Sequence, residues 1–325
     1  MLVSAVVVSY QARELLLASL GSLALALETI EGATEIIVVD NGSSDGAPDA
    51  VRTHFRNVRV LELGDNRGFA AAVNVGLRAT SGTWLLLLNN DATVEAGAVS
   101  ALLNAATGRD DVGSLAAQMR FARGGAMNSA GLGVDRLGVA FDRHIGEPPE
   151  AGERSVTEVF GASAGAALMR RAMLEQIDGF DDSFFMYLDD VDVAWRARML
   201  GWRCLYVPEA IVHHHHSASS VHGSAFKHFH VGRNRVRLLA KHVPTAHLLR
   251  YGPAIVANDI AHIVVAGLAD CTLAPLRGRL RGLREWRKYR AAGSERRPVP
   301  LAAVHGPRRV LARRRGAVRG TASRP

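Results

Sequence analysis

The sequence predicts an α/β fold, a doubly wound and mostly parallel sheet flanked by helices, with a helical extension at its C-terminal end. Three observations carry this. Short apolar runs alternate with stretches of helical spacing. The connections between them are short, as in a doubly wound sheet. Three of the apolar runs stop abruptly in polar residues, which is how parallel strands read where their carboxyl ends open onto a crevice.

Taken in order, Ala5-Val6-Val7-Val8-Ser9-Tyr10 is a β-branched strand, and leucines at helical spacing follow from Arg13 to about residue 29. Glu35-Ile36-Ile37-Val38-Val39-Asp40 is the second strand. It breaks at Asn41-Gly42-Ser43-Ser44-Asp45-Gly46, a turn and helix-start signal. Residues 58–63 read as a third strand and residues 68–79 as a helix. Trp84-Leu85-Leu86-Leu87-Leu88 then forms a strand buried on both faces, ending in Asn89-Asn90-Asp91. Ser9-Tyr10, Asp40-Asn41 and Asn89-Asn90-Asp91 should therefore converge on one cleft. A carboxylate there can hold a divalent cation, and through it a diphosphate. No GxGxxG follows the first strand, which argues against a dinucleotide oxidoreductase.

The middle, residues 113–159, is rich in glycine and reads as sheet edge plus loops. Residues 161–170 read as a strand of small residues that would let a ligand approach the backbone. Next comes Tyr187-Leu188-Asp189-Asp190-Val191-Asp192, three acids where a helix begins. The helix dipole favours negative charge there, and ordinary capping would account for one acid; three, beside Phe184 and Phe185, suggest a base or a group that binds hydroxyls. After the strand 203–207 the run His213-His214-His215-His216 alternates faces if extended, which directs one or two histidines to the cleft as metal ligands.

The chain has 325 residues, 48% hydrophobic and 22% charged, a globular composition. Cys204 and Cys271 are too few for a disulfide framework or a thiolate metal site. With no uninterrupted apolar run of about eighteen residues and no signal core, the expectation is a cytoplasmic protein. Residues 253–276 are strongly apolar but interrupted by Asn258, Asp259, His262 and Asp270. Helices lying on the main domain or on a membrane surface are therefore expected in place of a span. The net charge of +8 is concentrated late, with arginines from Arg277 to Arg315. Such a tail suits anionic lipid or nucleic acid, and a disordered solubilising tail explains it equally.

Together and in order, Val6-Val7-Val8-Ser9-Tyr10, Val38 to Gly46, Asn66-Arg67-Gly68-Phe69-Ala70 with Asn74, Leu88-Asn89-Asn90-Asp91, and Asp189-Asp190-Val191-Asp192 followed by His214 resemble the family 2 glycosyltransferases. These are inverting enzymes of the GT-A fold, and the resemblance is to their rhamnosyltransferase-like bacterial branch over roughly residues 3 to 240. It implies a GT-A-type, Rossmann-like domain over 1–240, leaving a helical extension over 241–295 and a basic, disordered tail over 296–325. Position by position, Asp40 would contact the donor's base, with Ser9, Tyr10, Asn41 and Ser43 lining the nucleotide pocket. Asn66, Gly68 and Asn74 would lie beside the donor. Asn89-Asn90-Asp91 resembles the DXD element, with Asp91 binding Mg²⁺ or Mn²⁺. Asn89 stands in the first acidic place and offers only a neutral oxygen. His214 matches the later metal-ligand histidine, with His213 and His216 as alternatives. Asp190 resembles the base, and Asp189, where glutamate is commoner, would hydrogen-bond the acceptor.

The resemblance implies a metal-dependent, inverting transfer of rhamnose from dTDP-rhamnose to a cell-envelope glycan or lipid-linked acceptor. A UDP-sugar donor is the alternative. The expected location is cytoplasmic, at the inner face of the membrane through the basic C-terminal region. A nucleotidyltransferase would need a phosphate-gripping loop that Ser9-Tyr10-Gln11-Ala12-Arg13 does not offer. A nucleic-acid module would need aromatics interleaved with basic residues, where only Trp286 and Tyr289 stand, so no nucleic-acid partner is expected.

Overall fold

The computed structural model of the protein describes residues 3–215, 224–292 and 297–304. The chain begins β1 (Val3–Ser9), α1 (Arg13–Glu28), β2 (Thr34–Asp40), α2 (Ala47–His54), β3 (Val58–Glu62), α3 (Phe69–Ala79) and β4 (Trp84–Asn89). These four strands are parallel neighbours in the order β4-β1-β2-β3. The order reverses beside β1, so a crevice opens at the carboxyl ends of β1, β2 and β4. Register sets the polar endings level, with Ser9 opposite Asp40 and Val8 opposite Asn89.

Then follow β5 (Ala92–Val94), α4 (Ala98–Ala106), β6 (Val112–Phe121), β7 (Met127–Ser129), β8 (Leu132–Val134), β9 (Ala140–Asp142), β10 (Thr157–Val159), β11 (Ala166–Arg170), α5 (Arg171–Gln176), α6 (Asp189–Met199) and β12 (Arg203–His214). β11 runs antiparallel between β4 and β6, and β12 lies parallel to β6, so the ten-stranded sheet is mixed. This corrects the reading of residues 113–159 as edge and loops. Val112–Phe121 is an interior strand, buried along nearly its whole length. Its polar and small residues hid it. Gln118 is buried against the Tyr206 hydroxyl at 2.9 Å, and a Cβ on Gly113 would meet Met173 Sδ at 2.5 Å.

Alternation along the strands fills both faces, as period two demands. Val3, Ala5, Val7, Leu86 and Leu88 pack with Leu16, Leu20 and Leu23 of α1 and Leu102 of α4. Val6, Leu85 and Leu87 pack with Val73 of α3, Leu174 of α5 and Val193 of α6. A third cluster joins Phe160, Phe184 and Trp195 to Leu238 and Leu239 of α7 (Ala225–His242) and to Val243 just past its end. α8 (Thr245–Ala269), α9 (Ala274–Arg284) and α10 (Trp286–Ala292) complete that layer. α9 crosses α7 at backbone contact, and a Cβ on Gly278 would lie 2.1 Å from Phe229 O. The arginine-rich segment from Arg308 onward lies outside the described residues.

Candidate active site

At the crevice floor Ser9 ends β1 wholly buried, its Oγ without a hydrogen-bond partner. Beside it Asp40 accepts the Gly42 and Ser43 N–H groups on Oδ2, at 3.2 and 2.9 Å, while its buried Oδ1 has no partner. Buried polar atoms are normally satisfied, which marks these two as candidate ligand contacts. Tyr10 is half-buried at the same edge, and Ser43 Oγ accepts the neighbouring Gln11 N–H at 3.1 Å.

Asn41 shapes the adjoining loop. It donates to Asn66 Oδ1 at 3.1 Å and Gly68 O at 3.2 Å and accepts from Arg67 N at 2.9 Å. Asn66 Oδ1 also accepts from Gly68 N at 3.0 Å, which leads the chain into α3. Gly68 has φ +88° and touches the acid-bearing loop, where an added Cβ would sit 2.5 Å from Phe185 O. Asn74 departs from the expected grouping. Its amide is engaged by Phe180 O, Phe180 N and Asp182 Oδ1, so it tethers that loop to α3.

Asn89 ends β4 and Asn90 and Asp91 follow it, both buried. Asp91 Oδ1 lies 3.1 Å from His214 Nε2, and Asn89 Nδ2 lies 3.3 Å from the same nitrogen. His214 Nδ1 stands 3.0 Å from Asn128 Oδ1. An oxygen there calls for hydrogen on Nδ1, which turns the Nε2 lone pair toward a carboxylate. Asp91 and His214 are the residues that would hold a divalent cation here, with Asn128 as the partner that orients the ring. A rotated Asn89 amide would add an oxygen. No third His, Cys, Asp or Glu joins them among the described residues, which leaves room for ligand oxygens. Strand alternation separates the histidines as expected: His213 Nε2 bonds Glu95 at 2.7 Å instead, and His216 lies outside the described residues.

The three acids of α6 have three environments. Asp192 is wholly buried and bonded to Arg196, Lys241 and His242 at 2.7 to 2.8 Å, which holds its carboxyl well below the usual range. It is structural. Asp189 is buried, and burial followed by the charge of Asp190 pushes its carboxyl well up. Asp190 is half-buried and raised to about 6, first by burial and then by Asp142, while the N–H groups of Ala164 (3.3 Å) and Val191 (2.8 Å) oppose the rise. A carboxyl poised near neutrality suits proton transfer. The loop that contacts Asp190 through Ala164 also bonds Asn89: Gly165 O accepts from Asn89 N at 2.9 Å. Adjacent residues thus join Asp190 to the end of β4.

Sequence reasoning missed Asn128, Asp142 and Asn234. Asn128 and Asp142 sit in the stretch where no pattern was legible. Asn234 looked like one polar residue of a basic helix. Wholly buried, it donates from Nδ2 to Phe184, Met186 and Tyr187 carbonyls at 2.8 to 3.0 Å, beneath the acid-bearing loop.

A mixed sheet with this switch point, flanked by helices on both faces, has the architecture of the GT-A class of glycosyltransferases. Solved structures agree on the fold. GalNAc-T7 with UDP, GalNAc and Mn²⁺ superposes with TM-score 0.60 at 14% identity, covering 88% of this chain and 57% of that one. The mannosyltransferase PcManGT from Pyrobaculum calidifontis, with GDP-Man and Mn²⁺, gives 0.54 at 18% identity, covering 90% and 83%. The sequence profile of Glycosyl transferase family 2 matches residues 4–178, and the chain belongs to that family. It is 33% identical over 223 residues, 62% of this chain and 72% of the relative, to the N-acetylglucosaminyl-diphospho-decaprenol L-rhamnosyltransferase of Mycobacterium tuberculosis. The protein is a glycosyltransferase.

Proposed function

We propose that the protein transfers rhamnose from dTDP-rhamnose, with inversion, to a hydroxyl of a cell-envelope glycan or lipid-linked acceptor. The observation that carries the reading is the single loop, Ala164-Gly165, that bonds the raised carboxyl of Asp190 on one side and the backbone N–H of Asn89, two residues before Asp91, on the other. Asp40 Oδ1 and Ser9 Oγ receive the base of the donor nucleotide, and Tyr10, Asn41, Ser43, Asn66, Gly68, Asn89 and Asn90 form its walls. Asp91 and His214 hold Mg²⁺ or Mn²⁺, which supplies neutralising charge for the departing diphosphate. Asp190 takes the proton from the acceptor hydroxyl as it attacks. A neutral Asp189 donates a hydrogen bond beside it. One base facing a leaving group held at the other side supports direct displacement, which inverts the anomeric centre. The rhamnose assignment rests on the mycobacterial relative's activity. A UDP-sugar donor is the second reading, favoured by the UDP held in the GalNAc-T7 structure.

Thermal shift with dTDP, dTDP-rhamnose, UDP and GDP, each with and without Mn²⁺, tests this. At a hundred times its Kd a ligand adds about 2.7 kcal/mol. Metal-dependent stabilisation strongest for the dTDP compounds is expected. Preference for UDP would replace the donor, and indifference to all four would overturn the reading.

A further inference from the structure

We infer that the outer face of α8 and α9 docks on an anionic lipid surface, so that the protein lies flat against a membrane. This rests on the reading above for its purpose, since a lipid-linked acceptor would be met there, but its evidence is separate. Among the described residues α8 is the one helix long and apolar enough to cross a bilayer, with mean hydropathy 1.5 over a window only 11% buried. Its anchoring shows that it runs along the domain instead. At its start Arg290 donates to Thr245 Oγ1 at 2.6 Å. Midway Asp259 binds Arg235 of α7 at 2.7 Å and Arg279 of α9 at 2.9 Å. Just past its end Asp270 meets His228, near the start of α7, at 2.8 Å. The helix is thus tied to the domain at its start, its middle and its end.

What it turns outward is apolar. Leu249, Val256, Ile260, Val264 and Leu268 are 50–78% exposed, spaced four or seven residues apart on one stripe. The stripe continues onto α9 as Leu273, Leu276, Leu280 and Leu283, and the two helices meet at an apolar notch lined by Val264, Leu268 and Leu273. Its borders are basic, with Arg250, Arg277 and Arg284 exposed and Arg281 exposed beside its partner Glu285 at 2.6 Å. Between residues 245 and 284 the only acids are Asp259 and Asp270, and both face inward onto the partners just named. An apolar stripe bordered by arginines and free of outward carboxylates matches a bilayer interface, where leucines enter the acyl boundary and guanidinium groups meet phosphates. A second copy of the chain would cover the leucines but oppose two rows of arginine, so the charge favours lipid.

Co-sedimentation of the full chain with vesicles decides the matter. Binding is expected to equal parts phosphatidylcholine and phosphatidylglycerol, not to phosphatidylcholine alone, and should weaken with salt. Leu268→Glu with Leu280→Glu, and separately Arg277→Glu with Arg284→Glu, should each lower partitioning about tenfold or more while thermal melting stays unchanged. Absence of binding to the anionic vesicles at low salt would overturn the proposal. So would binding that survives both pairs of substitutions, or a concentration-dependent dimer in light scattering that both pairs abolish. No donor is present in these measurements, so their failure leaves the transferase reading standing, and a silent nucleotide panel leaves this one standing.

Discussion

Asp189, Asp190 and Asp192 are chemically identical and lie within one helical turn, yet their surroundings drive them apart. Asp192 is ionised by its three basic neighbours, whereas burial pushes Asp189 well up and Asp190 up to about 6. Asp190→Asn should reduce transfer by about 10²–10⁴-fold, the usual contribution of a positioned base, without lowering the thermal midpoint. Retention of near-normal turnover would remove Asp190 from its role. In the wild type kcat/KM should fall as pH drops below about 6, because the base is then protonated. The same shifts act on stability with opposite signs. Asp190 contributes below the unfolded carboxyl range, near 4, and that contribution is lost as pH rises through about 6. Asp192 contributes above that range, and its share is lost as pH falls toward its depressed value. A urea titration of Asp190→Asn beside the wild type should therefore show a difference that widens from pH 4 to pH 7.

At the scale of the element, α7 governs the loop that presents the acids. Phe185, Tyr187 and Leu188 all have positive φ, which is costly for residues with a Cβ and persists only under restraint. The restraint is Asn234 under three carbonyls, with Arg233 on Phe184 O at 2.9 Å and Arg237 on Ser183 O at 2.5 Å. From the other side Phe69 N reaches Phe185 O at 2.6 Å, so the donor loop and the acid loop close on one residue. Asn234→Ala takes the Asn234 donor from the Met186 and Tyr187 carbonyls and leaves Phe184 O to Arg233 alone, and should cost about 1–3 kcal/mol. If the helix positions the acids, kcat should fall well beyond what donor KM changes, and nucleotide-induced thermal shifts should persist. Equal loss in both parameters would mean that Asn234 only supports the fold. The strands and helices of the first half were legible because apolar runs and turn signals repeat there. The clamp was not, since a buried amide and an exposed one are spelled the same way.

For the molecule as a whole, the C-terminal helices are joined to the sheet domain by buried ion pairs as much as by apolar packing. Asp259 sits between Arg235 and Arg279, both buried, and Arg235 also donates to the carbonyls of Leu137 and Gly138. Asp259→Ala would leave two buried guanidinium groups without their carboxylate, at a cost of about 3–5 kcal/mol. Chemical denaturation of that variant should show the loss. An unchanged midpoint would mean that α8 is held by apolar contact alone.

The sequence by itself determined the alternating strands and helices, the convergence of Ser9, Asp40 and Asn89 on one edge, and the family. Those features depend on local periodicity and on polar residues at strand ends, which the order of residues states directly. Tertiary structure alone decided that Val112–Phe121 lies inside the sheet, that His214 rather than His213 faces Asp91, and that Asp192 is a strut while Asp190 is poised near neutrality. It also decided that Asn74 tethers a loop. Each of these depends on which distant groups a side chain meets, and hence on burial and charge that neighbours in sequence do not supply.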